Sequence, residues 1–63
     1  MGGDVTPATF TRIRNQLGLK QSELARMLAV HERTVRRYEK GETRISGPVQ
    51  GLMRVLLRDD VRN

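Results

Sequence analysis

Glu32, Arg33, Arg36 and Arg37 fall within the six residues "ERTVRR". Wound as a helix at ~100° per residue, these four side chains occupy one contiguous arc, while Thr34, Val35 and Tyr38 lie on the opposite side. Such a row performs no covalent chemistry. A planar guanidinium donates two parallel hydrogen bonds to paired acceptors, such as O6 and N7 of guanine, and a carboxylate accepts from an amino group such as N4 of cytosine. On an arbitrary small protein an arginine row is usually only a solvated face. What it does here depends on the elements that hold it.

The surrounding stretch, "KQSELARMLAVHERTVRRYEKG" from Lys20 to Gly41, carries six of the twelve Lys and Arg residues, with Arg44 just beyond it, yet an apolar residue recurs every three or four positions. Upstream, "TPATFTRIRNQLG" reads as a first helix: Thr6 supplies an N-cap oxygen, Pro7 fits the first turn, and Gly18 takes the left-handed stop. Phe10, Ile13 and Leu17 share its inner face, and Arg14 lies beside them. A second helix spans roughly Gln21 to Leu28, with Leu24, Ala25 and Leu28 inward and Glu23 in its first turn, where negative charge suits the helix dipole. Lys20 is a poor cap for it. A third helix, roughly Glu32 to Lys40, buries Val35 and Tyr38 and stops at Gly41, before the polar loop "ETRISG". Ser46 caps a fourth, about Pro48 to Arg58, that turns Val49, Leu52, Met53 and Leu56 inward and leaves Val55 and Leu57 off its core face. Met27 and Met53 read as ordinary packing residues. The expectation is an all-α, compact four-helix domain over residues 6–58, with a flexible leader at 1–5 and a short C-terminal tail at 59–63.

Composition narrows the classes of function. Sixty-three residues make one small domain with a single modest core and no room for a large catalytic cavity. A net charge of +5 and a pI of about 11.1 attract polyanions. With no cysteine and one histidine, His31, there is no disulfide framework and no ready metal site, and no nucleophile sits beside a base. No enzyme activity, cofactor or metal is expected. The longest apolar run is a few residues and no export signal is recognisable, so a cytoplasmic location is expected. A membrane-surface helix would need a broader apolar face than the third helix has, so no membrane partner is expected.

Two short helices about three residues apart must cross steeply, which is helix-turn-helix geometry. Small Ala25 allows close approach, Val30 plugs the turn, and Val35 is buried in the second helix of the pair. The segments "LGLKQSELA", "TVRRYEKG" and "ISGPVQGLMRVL" together resemble the helix-turn-helix of the lambdoid phage repressor and Cro type, the Xre-like class of bacterial and phage DNA-binding regulators. The resemblance runs from about Phe10 to Leu57. The chain departs from it at Ala29, where the turn usually has Gly, and at Lys20 and His31, where the caps are usually Ser or Thr. Many relatives also have a fifth helix, so four helices would leave part of the usual packing surface open.

The resemblance implies sequence-specific binding of double-stranded DNA by a repressor or autoregulator, with the helix around 32–40 in the major groove. It puts the start of that helix deepest, so Glu32 and Arg33 would meet base edges and Arg36 a base or a phosphate. The arc itself favours Arg33 and Arg37 as base readers. Glu32 could instead only brace Arg36, one turn away. The resemblance also maps phosphate contacts to Gln21, Lys40 and Arg44, to which the Thr34 hydroxyl could add, and it pairs Arg14 with Glu39 as a partly buried ion pair. A homodimer on an inverted repeat is expected, with Val55, Leu57 and Val61 as candidate dimerisation residues. Two other readings are an antitoxin-type DNA-binding component whose main partner is a protein, and a protein- or RNA-interaction module on the same fold.

Overall fold

Three stops of one kind divide the first forty residues into helices. The computed structural model describes residues 5–62, with side chains for residues 5–58. Helix α1 is Pro7–Gln16, α2 Gln21–Leu28, α3 Glu32–Lys40 and α4 Gly47–Arg62, with no strand among the described residues. At each of the first three C-termini a left-handed residue follows the helix: Gly18 at φ 72°, Ala29 at φ 61° and Gly41 at φ 75°. The amides then fold back in the same pairing, Leu19 to Arg14 and Gly18 to Asn15, Val30 to Ala25 and Ala29 to Arg26, Glu42 to Arg37 and Gly41 to Tyr38. Each pair satisfies carbonyls that the helix end leaves open. Gly41 and Gly18 adopt this backbone freely, whereas Ala29 does so at a cost of ~1–2 kcal/mol.

The starts are less uniform. Thr6 Oγ1 accepts the Thr9 amide at 3.2 Å and Pro7 takes the first helical position. Lys20 has no acceptor to offer α2, and Glu23 reaches back instead, its Oε1 accepting the Lys20 amide at 2.7 Å. That bond also places a carboxylate at the positive end of the helix. The His31 side chain makes no capping bond to α3. At α4 the Ser46 carbonyl accepts the Gln50 amide at 2.9 Å, the first turn of that helix.

Phe10, Leu24, Val35 and Met53 are fully buried, one from each helix, and around them pack Ile13, Ala25, Leu28, Tyr38, Ile45 and Val49. Phe10 and Tyr38 meet edge to face with ring centroids 5.5 Å apart, a geometry that aromatic quadrupoles favour. α3 packs inward against both α2 and α1, and α4 packs against α1. Leu17, Leu19, Val30, Leu56 and Leu57 close the margins.

Several expectations need correction. Val5, assigned to the leader, is buried, and its amide donates to Gln50 Oε1 at 3.1 Å, while residues 1–4 lie outside the described part. Ile45 is buried within the loop that reads as polar. α4 continues to Arg62, through most of the expected tail. Its core face is also turned relative to expectation: Leu52 is 45% exposed, while Gln50 is buried and Leu57 packs against the core. Met27 is exposed too and packs into nothing central. Gln50 is held inside by two bonds, its Nε2 donating to the Ile45 carbonyl at 2.9 Å while Oε1 accepts the Val5 amide. A fully bonded amide can sit inside, and the apolar residues beside it follow.

Candidate nucleic-acid interface

The inner side of α3 is fixed by Val35, fully buried, and Tyr38, nearly so. Its outer side therefore has to face away from the body. Arg33, Arg36 and Arg37 are exposed there, and with His31, Glu32 and Thr34 they line one open groove. Thr34 is half-buried at the rim of that groove and not on the opposite side of the helix, because two steps of ~100° leave it beside Arg37. Within the groove Arg36 Nη2 donates to Glu32 Oε2 at 2.8 Å, with the two side chains about half exposed. Three guanidiniums against one carboxylate leave the face cationic.

Behind α3 lies the group that holds it. Arg14 Nε and Nη2 donate to Glu39 Oε2 and Oε1, at 2.5 and 3.2 Å, and Arg14 Nη1 donates to the Leu19 carbonyl at 2.9 Å. Gln21 Nε2 adds a bond to Glu39 Oε1 at 3.0 Å. The side chains of Arg14 and Glu39 are 16% and 10% exposed, so the cluster ties α1, the turn after it, the start of α2 and the end of α3 together away from bulk water. A two-pronged guanidinium–carboxylate pair of this kind fixes orientation as well as distance. In this structure Gln21 is thus engaged with Glu39, at a half-buried position.

Lys40 and Arg44 are both exposed, one on the last turn of α3 and the other in the loop that follows. Arg44 lines a shallow depression with Thr6, Thr43 and Gln50, where the loop passes the start of α1. There Pro7 Cγ stands 3.6 Å from where a Cβ on Gly41 would be. Of the candidate dimerisation residues, Val55 is exposed, Leu57 is partly covered by the core, and the Val61 side chain lies outside those described. Leu52, expected inside, joins Val55 on the open side of α4.

Gln50 is the residue that pattern reading missed. It carries the bonds that position the loop containing Arg44, and a polar residue next to Val49 gives no periodic signal of burial. The lone apolar residue of the polar loop, Ile45, was the available clue.

The sequence pattern of one family, described as Helix-turn-helix, matches residues 11–49, which is α2 and α3 with most of α1 and the start of α4. The chain belongs to the helix-turn-helix family of the Xre and lambda-repressor type. This is a family of DNA-binding transcription regulators that are typically not enzymes, and DNA is the partner class it brings. Neither the curated proteins nor the solved structures contain a significant match to this helix-turn-helix chain. No helix among its described residues is long and apolar enough to cross a membrane.

Proposed function

We propose that this helix-turn-helix protein is a repressor or autoregulator that binds double-stranded DNA sequence-specifically by laying α3 in the major groove. One observation carries the reading: Arg33, Arg36 and Arg37 stand exposed along the side of α3 that faces away from buried Val35 and Tyr38. A B-form major groove is ~12 Å wide and admits a helix, and its guanine edges match guanidinium donors. Arg33 and Arg37 read bases, with Glu32 and Arg36 beside them at the leading end. Gln21, Thr34, Lys40 and Arg44 surround this face and contact phosphates, which set register without reading sequence.

The protein binds as a homodimer on an inverted repeat, each copy reading one half-site with centres ~10 base pairs apart. Support comes from Leu52 and Val55, two apolar side chains about half exposed on the outer side of α4. Selection of bound sequences from a random duplex pool tests the whole reading. The expected product is an inverted repeat with guanine in each half-site. A pool that stays random after repeated rounds refutes sequence-specific binding.

A further inference from the structure

We propose that Glu32 and Arg36 read DNA as a single unit, and that the base pair they accept is C·G, with cytosine N4 toward Glu32 and guanine O6 and N7 toward Arg36. The inference rests on α3 facing the major groove and adds which pair one part of it selects.

The two side chains are hydrogen-bonded at 2.8 Å, one helical turn apart, in the groove shared with Arg33 and Arg37. Half-exposed pairs of this spacing add little to stability, so the fold has small need of a carboxylate there. On a face that approaches phosphates, a carboxylate repels every duplex equally unless something beneath it donates a hydrogen bond. Beyond its bond to Arg36 it loses water on docking, and in the major groove it recovers a further donor from an exocyclic amino group, cytosine N4 or adenine N6. The attached guanidinium decides between them. Its bond to Glu32 uses one of five N–H donors and leaves a two-pronged edge free. In the major groove a C·G pair presents N7 and O6 as adjacent acceptors with the N4 donor next to them. An A·T pair separates its two acceptors by the N6 donor. Carboxylate and guanidinium held side by side thus complement C·G and mismatch A·T. Glu32 serves as a filter: it lowers affinity for all sequences and returns the loss at one.

The test uses the intact protein and the duplex obtained by selection, with each base pair of the half-site exchanged in turn and a random duplex alongside. Dissociation constants are measured for the wild type, Glu32→Ala, Glu32→Gln, Arg36→Ala and the Glu32→Ala/Arg36→Ala double variant. Glu32 is on the surface at the first turn of α3, and circular dichroism verifies that each variant stays helical. At one C·G position both Glu32 variants are expected to lose roughly tenfold of the preference. On random duplex they should bind several-fold more tightly than wild type. The coupling between positions 32 and 36 should exceed threefold on the C·G duplex and vanish when that pair is exchanged. If Glu32→Ala tightens binding to every duplex by one common factor, with all base preferences intact, the unit does not exist and Glu32 is only a brace. A wild type that fails to distinguish any of the duplexes overturns the major-groove reading beneath it, an outcome separable from the first because it appears before any variant is made.

Discussion

Ala29 shows how a single residue can be strained without harming the turn it serves. Its left-handed backbone costs ~1–2 kcal/mol, and glycine there would remove that cost while losing about 0.4–1 kcal/mol to the greater freedom of the unfolded chain. Ala29→Gly is therefore expected to stabilise by about 0.5–1 kcal/mol, seen as a rise of a few degrees in Tm. A lowered Tm would contradict the strain argument. At Glu39 the sign is opposite. Glu39→Ala strands the Arg14 guanidinium in a site where it is 16% exposed and removes the acceptor of Gln21, so a loss of about 3 kcal/mol in urea denaturation is expected. A loss below 1 kcal/mol would mean that water enters the site readily. The two cationic roles separate in binding. Arg33→Ala should lower affinity for the selected site by ~1–3 kcal/mol and relax one base preference, and Lys40→Ala should weaken all duplexes alike. Equal losses on specific and random DNA for Arg33→Ala would contradict its role as a reader.

At the scale of elements, three helices were legible from apolar spacing of three and four, which orients each inner face, and in part from local chemistry at their ends. Thr6 and Pro7 open α1, and Gly18 and Gly41 close α1 and α3, whereas the left-handed stop of α2 falls on Ala29, a position that only the family resemblance marked. The Arg14–Glu39 pair was legible only through family resemblance, since 25 residues separate the partners. The inner face of α4 was read correctly at Val49, Met53 and Leu56 and misread at Leu52, Leu57 and Gln50, for a physical reason. Sequence periodicity treats glutamine as solvent-facing, so it centred the stripe on Val49, Leu52, Met53 and Leu56, whereas the bonded Gln50 draws the buried arc toward itself and Leu57. Gln50→Leu tests this directly. It leaves the Val5 amide and the Ile45 carbonyl unpaired, at a cost of about 1–3 kcal/mol, and should speed hydrogen exchange at Val5. Unchanged stability and unchanged exchange would show that the clamp contributes nothing.

On the whole molecule, α3 presents three neighbouring guanidiniums in one groove, and α4 presents the apolar Leu52 and Val55 with Arg54 and Arg58 exposed on the same helix. The family match ends at residue 49, so nearly all of α4 lies beyond it and its outer side has to be argued from exposure alone. A Leu52→Glu/Val55→Glu variant is expected to bind a single half-site normally and to lose cooperative binding to the inverted repeat, as followed by gel shift and light scattering. Cooperativity equal to wild type would move the dimer contact elsewhere. The central claim, that the arginine face of α3 meets guanine edges in the major groove, is tested most directly by methylation interference on the selected duplex. Methylating guanine N7 should block binding at guanines in each half-site, and Arg33→Ala should abolish the effect at the same guanine in both. Interference confined to adenine N3 in the minor groove, with N7 methylation harmless, would contradict it.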